Sequence, residues 1–279
     1  MTMINYSMQL EKYIDYLQNE ERSIATVCQY ERDVLRFFSF LNLKELTRDA
    51  VLQYKQELMK DYQPVSVNVK LSALNSFFSF IGRDDLKLKL LKIQRSVYCS
   101  EEKELSKSEY FRLIQAAEKK KKKRLALLLQ TICGTGIRVS ELKYITAAAV
   151  NCGEAVIQLK GKTRTILLPK KLQKKLKNYL RRERIVEGPV FITRTGRPLD
   201  RSNIWKMMKN LCRDAGVDAK KVFPHNLRHL FARCFYSIDK DIARLADILG
   251  HSSINTTRIY IITSGTEHRR HLDALRLVV

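Results

Sequence analysis

The chain contains no run approaching the roughly 20 apolar residues of a membrane-crossing helix, and its first residues lack the apolar core of a secretory signal. A protein that neither spans nor anchors in a membrane is the expectation. Six cysteines, Cys28, Cys99, Cys133, Cys152, Cys212 and Cys234, are scattered without a C-x-x-C pair. A disulfide framework and a zinc site are therefore unexpected, and reduced, mostly structural thiols in a cytoplasmic protein are predicted. The carboxylate clusters of a metal-dependent nuclease are missing too. His225 and His229 stand four apart, yet no glutamate follows His225 as in H-E-x-x-H, and Arg228 between them would repel a cation. No metal is expected.

What is abundant is positive charge. The 279 residues carry 52 Lys plus Arg against 29 Asp plus Glu, a net +23, while 45% of them are apolar. The apolar share supports a buried core, and the length allows two ordinary domains. Such a charge excess works against compactness through self-repulsion, so it points to a polyanionic partner, nucleic acid first.

The first hundred residues read as four helices. Leu10, Tyr13, Ile14 and Leu17 fall at helical spacing, as do Val27, Tyr30, Val34, Phe37 and Leu41. Thr47 is placed to cap a third helix through Val51, Tyr54 and Leu58. Pro64 precedes a fourth through Val67, Leu71, Leu74, Phe78 and Ile81, with Gly82 as its stop. Phe-Phe-Ser-Phe occurs at 37–40 and again at 77–80, which suggests two core helices with similar packing needs. Periodicity is lost between Lys92 and Glu104, giving a linker at about 97–103 between domains at 1–96 and 104–279.

Ser106 opens the second part as a helix cap, and a helix runs to the basic stretch Lys119–Arg124, read either as a solvated helix end or as phosphate contact. Ala155–Leu159 and Arg164–Leu168 are short apolar runs around Lys-Gly-Lys-Thr, which predicts a hairpin, and Val190–Thr193 a third strand. Helices resume with Ser202 as a cap, and a short one through Ile242, Leu245 and Leu249 ends at Gly250. The fold class is thus mainly α with a small antiparallel β-sheet.

Three segments concentrate the candidate chemistry: Thr-Gly-Ile-Arg-Val-Ser-Glu-Leu at 135–142, Pro-His-Asn-Leu-Arg-His-Leu-Phe-Ala at 224–232, and Leu-Gly-His-Ser-Ser-Ile-Asn-Thr-Thr-Arg-Ile-Tyr at 249–260. Each is weak alone. Arg138 and Arg228 suit the oxygens of a phosphate, though either could be a structural ion-pair partner. Tyr260 could be an ordinary core tyrosine. In that order and spacing, however, the three resemble the signature boxes of the tyrosine recombinase (phage integrase) family, particularly its compact Xer-like and transposon-borne members. Lys160, at the tip of the predicted hairpin, resembles the family's hairpin lysine, with Lys162 as the alternative.

The resemblance implies a two-domain clamp on double-stranded DNA, a helical core-binding domain followed by a catalytic domain. It implies that Tyr260 attacks the scissile phosphate to give a 3′-phosphotyrosyl link and a free 5′-hydroxyl, without ATP or metal. Arg138 and Arg228 would hold the non-bridging oxygens, Lys160 would protonate the departing 5′-oxygen, and His225 would assist at the tyrosine. His251 would position the phosphate, and Glu141 would orient Arg138. His229 reads as a supporting histidine. Four protomers would act on two sites through a Holliday junction, assembling on DNA from a free state that could be monomeric, and the segment after Tyr260, with Leu272, Leu275 and Leu277, would pack on its own domain or dock on a neighbour. Two rival readings are a type IB topoisomerase, which the four-helix N-terminal part argues against, and an inactive DNA-binding accessory protein, which the full residue set argues against.

Overall fold

The computed structural model describes residues 3–42, 44–93, 104–159, 162–260 and 273–274. The chain divides into two compact units, Met1–Arg95 and Ser96–Val279.

The first unit is four helices: α1 (Met3–Asn19), α2 (Ile24–Leu41), α3 (Arg48–Asp61) and α4 (Pro64–Phe80). Local chemistry sets their ends. Ser23 and Thr47 accept from the amides of Thr26 and Ala50, and Pro64 takes the first turn of α4, where no amide donor is needed. Their apolar stripes meet in one core holding Tyr13, Phe37, Leu58, Leu71, Phe77 and Phe78. The repeated Phe-Phe-Ser-Phe explains itself there: Phe37 meets Phe78 edge-on at 5.7 Å and Phe38 meets Phe77 at 5.5 Å, so the two copies interlock. Two asparagines a heptad apart on α4 grip the chain that follows. Asn75 bonds both the amide and the carbonyl of Leu88, and Asn68 does the same at Leu91.

The second unit comprises α5 (Lys107–Lys119), α6 (Lys123–Thr135), a 3-10 turn (Val139–Tyr144), α7 (Ala147–Cys152), strands β1 (Glu154–Leu159) and β2 (Lys162–Leu167), α8 (Lys170–Glu183), α9 (Arg201–Ala215), α10 (Pro224–Ile238), α11 (Ile242–Leu249) and α12 (Ile254–Arg258). Ser106 and Glu109 form a reciprocal capping box at the start of α5. β1 and β2 pair antiparallel from Glu154↔Leu167 to Leu159↔Lys162. β2 thus begins at Lys162, two residues earlier than the expected Arg164, so Lys162 and Thr163 belong to the strand. α6 lies at the centre, with Leu128, Leu129 and Ile132 fully buried. Among the described residues no helix is long and apolar enough to cross a membrane.

Two local expectations are corrected. Val190–Thr193 forms no third strand; its backbone is tied only by isolated bridges, Thr146 to Pro189 and Ile192 to Pro198. A short apolar run flanked by proline can bury itself without a ladder, as Val190 and Phe191 do. Ser202 is not the cap of α9: Asp200 is, accepting from the Asn203 amide at 2.7 Å. An Asp two residues before a Ser competes for the same role, and a carboxylate is the stronger acceptor there. The 97–103 linker and the leucines at 272, 275 and 277 lie outside the described residues.

Candidate active site

Four chain segments converge at the C-terminal end of α6. The helix stops at Gly136, whose φ is +65° and where a Cβ would stand 2.5 Å from the Phe231 ring, so the turn accepts only glycine. Arg138 follows, at the head of the 3-10 turn. Its backbone amide and its Nη1 both donate to Glu141, each at 2.9 Å, and its Nη2 donates to the Gly250 carbonyl at 3.1 Å. Glu141 is 1% exposed and Arg138 40%, so a buried carboxylate aims a solvent-facing guanidinium. Burial alone would raise the Glu141 carboxyl, but the hydrogen bonds from Arg138 and the charge of Arg164 outweigh it and hold the group ionised below its usual range.

α10 supplies His225, Arg228 and His229. Pro64-like chemistry opens this helix as well, with Pro224 in its first turn. Arg228 is 2% exposed, the largest fully buried side chain among the described residues. Its Nη1 donates to the Gly136 carbonyl at 2.5 Å and its Nη2 to the Leu249 carbonyl at 2.7 Å, with His251 Nε2 2.9 Å away. All of these partners are neutral. Burial, then the neighbouring Arg138, pushes Arg228 down to about 10, so it stays charged at neutral pH with no carboxylate bonded to it among the described residues.

Because a guanidinium can only donate, His251 Nε2 must accept, and the ring hydrogen then sits on Nδ1, facing Thr257 Oγ1 at 2.8 Å. Thr257 is fully buried and belongs to α12, two residues before the segment that delivers Tyr260. Tyr260 is 5% exposed. Its ring packs with Ala232, Leu245 and Leu249 in a small apolar cluster, and the rings of His229, His251 and His225 stand around it at 4.2, 5.2 and 5.3 Å. Its hydroxyl lies 3.5 Å from His225 Nε2. Burial first lowers all three imidazoles, His229 and His251 to about 4; after burial the nearby arginines act on His225 and His251, and His225 followed by Arg233 and Arg228 on His229.

The structure therefore brings together Arg138, Glu141, His225, Arg228, His229, His251 and Tyr260. Lys160 lies outside the described residues; β2, which follows it in the chain, reaches the site through Arg164. That arginine is a participant the sequence reading missed. Its Nη2 donates to Glu141 Oε2 at 2.5 Å and its Nη1 to the Ile248 carbonyl at 2.8 Å. Gly250, at φ +63°, makes room for it: a Cβ there would sit 2.5 Å from Arg164 Cδ. A signal existed, since Arg164 shares a strand face with buried Ile166 and Leu168, and an inward arginine asks for a buried acid. Thr257, reached only through the fold, had no such signal.

Such a cluster, a phenol, three neutral imidazoles and two guanidiniums with no neutralising acid on one of them, suits a reaction at an anionic centre. The comparisons agree. Residues 103–266 match the model of the phage integrase family, and residues 2–84 that of the phage integrase N-terminal SAM-like domain. The tyrosine recombinase XerA of Pyrococcus furiosus is 32% identical over 262 residues, covering 90% of this chain and 88% of its own. A crystal structure of XerA recombinase superposes with a TM-score of 0.55 at 28% identity, over 98% of this chain and 99% of that one. The pre-cleavage complex of XerH site-specific recombinase bound to difH substrate gives 0.70 at 22% identity, over 95% and 83%, and so shares the fold. The chain belongs to the phage integrase family, the tyrosine recombinases, enzymes that cleave and rejoin DNA strands.

Proposed function

We propose that this recombinase acts on double-stranded DNA through Tyr260, which attacks a backbone phosphate to form a 3′-phosphotyrosyl bond and release a 5′-hydroxyl. Attack of a 5′-hydroxyl from another strand then reseals the backbone, restoring the phenol, so the phosphodiester energy is conserved and no ATP is consumed. His225, neutral at pH 7, accepts the phenolic proton across the 3.5 Å gap. Arg138 and Arg228 hold the non-bridging oxygens, where charge builds in the transition state. His251 positions the same phosphate, and Lys160 protonates the leaving 5′-oxygen.

The observation that carries the reading is Arg228. A guanidinium with 2% exposure and only neutral acceptors is a desolvated charge left without its counter-charge. Replacing one neutral acceptor by a phosphate oxygen supplies that charge, so DNA binding relieves a strain built into the free protein. Two fixed cations at the reacting centre also provide what a divalent ion provides in many nucleases, and we propose a reaction independent of metal. The related XerH was crystallised on its difH substrate and lambda integrase as a dimer bound to a core site, which supports duplex DNA as the partner here. By extension the working assembly is four protomers exchanging strands through a Holliday junction, in the cytoplasm where the DNA lies.

A nicked suicide duplex, carrying a site enriched from random DNA by this protein, tests the reading in EDTA. Wild type is expected to give an adduct that survives denaturation, and Tyr260→Phe none. An adduct from Tyr260→Phe would show another nucleophile. Tight binding with no adduct from wild type would make the protein a DNA-binding factor rather than an enzyme.

A further inference from the structure

The buried threonines of α6 direct their hydroxyls into their own helix. Thr131 donates to the Leu127 carbonyl at 2.8 Å and Thr135 to the Thr131 carbonyl at 2.6 Å. Thr257, fully buried in the short α12, instead turns its hydroxyl out of the helix and onto His251 Nδ1 at 2.8 Å. That hydroxyl has no other partner among the described residues. The backbone of the same residue holds the nucleophile's chain, since the Tyr260 amide donates to the Thr257 carbonyl at 2.9 Å. One residue thus touches both the ring that faces the phosphate site and the segment that carries the phenol.

The phosphate-positioning role of His251 conflicts with its state in the free protein. Arg228 Nη2 donates to His251 Nε2 at 2.9 Å, so that nitrogen carries a lone pair and the ring hydrogen is on Nδ1. A lone pair aimed at a phosphate oxygen repels it. To hold that oxygen, Nε2 must carry the hydrogen, and Nδ1 must then accept instead of donate. A carbonyl or an ionised carboxylate opposite Nδ1 would forbid the change, because each only accepts. A backbone amide would forbid the free state, because it only donates. A hydroxyl does both. Burial of Thr257 keeps bulk water from competing for it.

We propose that Thr257 is a positioning residue of the strand-transfer reaction, whose hydroxyl lets His251 change tautomer when DNA arrives. The inference rests on the DNA-recombinase reading and deepens it. In the free protein Nδ1–H donates to Oγ1, and Nε2 accepts from Arg228. With a phosphate in place, its oxygen replaces Nε2 as the acceptor for Arg228 Nη2. The ring gives its Nδ1 proton to water and takes one from water at Nε2, so its charge and the proton count are unchanged. The hydroxyl rotates about its Cβ–Oγ1 bond and donates to Nδ1. Arg228 and His251 then converge on the phosphate as two donors, and the turn that presents Tyr260 stays tied to the ring throughout.

The test uses the full chain, isotope-labelled at the histidine nitrogens, free and on a short duplex carrying the enriched site, the core duplex. The nitrogen shifts of the His251 ring, assigned with His251→Asn, separate a bare ring nitrogen from one that carries hydrogen. Tyr260→Phe holds the bound complex before cleavage. The expected result is Nδ1–H in the free protein and Nε2–H on the core duplex. Wild type, Thr257→Val and Thr257→Ser are then compared in single-turnover adduct formation. Thr257→Val keeps the shape but offers Nδ1 no partner. Its rate is expected to fall about 100-fold, with core-duplex affinity within about threefold of wild type. Thr257→Ser keeps the hydroxyl and is expected to recover most of the rate. A His251 ring that stays Nδ1–H on the duplex, or becomes doubly protonated there, overturns the proposal. So does full-rate cleavage by Thr257→Val, or a loss of affinity as large as its loss of rate. Failure of Thr257→Ser to recover also overturns it, because the methyl group rather than the hydroxyl would then matter. Should Thr257→Val not fold, the ring shifts and Thr257→Ser still decide. Absence of adduct from wild type sinks the recombinase reading and the proposal with it, whereas adduct from wild type with an unchanged ring sinks the proposal alone.

Discussion

Around Tyr260 stand three imidazoles that burial and nearby arginines keep below their free-solution pKa, and the direction of those shifts fixes the pH behaviour. His229 and His251 fall to about 4 when folded, against about 6.5 in an unfolded chain. Between those values the unfolded chain binds the extra protons, so stability rises with pH there. The contribution is complete above pH 6.5 and is lost as pH falls towards 4, up to roughly 3 kcal/mol for His229 and less for the more exposed His251, where solvent screens the charge. Wild-type unfolding free energy is expected to drop across that window, and His229→Gln to drop less steeply; parallel curves would mean His229 does not titrate with folding. His225, also lowered, is a proton acceptor at pH 7. Single-turnover adduct formation is therefore expected to be flat from pH 7 upward and to fall on acidification, with its midpoint below 6.5. A midpoint well above 7 would remove His225 as the base.

Glu141 joins three elements that no single segment of sequence connects. It accepts from Arg138 in its own 3-10 turn and from Arg164 on β2, and Arg164 in turn holds the Ile248 carbonyl at the end of α11. β2, which follows Lys160 in the chain, is thereby locked to the turn that bears Arg138 and to the helix end that bears His251. Glu141→Gln keeps the shape and removes the charge, leaving two guanidiniums facing each other. Breaking such a buried arrangement costs about 3 to 5 kcal/mol, so the melting temperature is expected to fall. Adduct formation by the protein that remains folded should fall about 100-fold, the scale of losing one aimed donor at the transition state, while DNA affinity changes little. Unaltered cleavage in Glu141→Gln would show that Arg138 needs no such support. The helices of the first unit were legible because periodicity and caps are local, and Ser23, Thr47 and Pro64 sit where a helix needs them. The boxes around Arg138, Arg228 and Tyr260 were legible because their spacing is a family signature. Arg164 was hidden in a β-strand that reads as apolar, and its partner acid lies 23 residues away. Val190–Thr193 misled for the opposite reason: its composition suits a strand, but no neighbouring strand exists to pair with it among the described residues.

At the scale of the whole molecule, the two units keep separate apolar cores. One gathers Leu10, Tyr13, Phe37, Leu58, Phe77 and their neighbours as far as Leu91; the other begins at Leu105. No residue is shared between them, and the first needs nothing beyond residue 93 to complete its caps, its interlocked phenylalanines or the asparagine grips on Leu88 and Leu91. The one deeply buried charge among its described residues is satisfied internally, Asp33 at 1% exposure pairing with Lys70 at 2.7 Å and accepting from Gln29. A fragment of residues 1–93 is therefore expected to fold alone as a helical domain with a cooperative thermal transition, which circular dichroism would follow. Asp33→Ala in that fragment should lower its stability by about 3 kcal/mol, because Lys70 is left partly buried without its acid. In the full chain the same substitution should shift one of two transitions and leave the catalytic unit, read by adduct formation on a core duplex, unchanged. A fragment that stays unfolded, or a full chain in which Asp33→Ala lowers both transitions together, would mean that the two cores depend on each other for stability despite drawing on different residues.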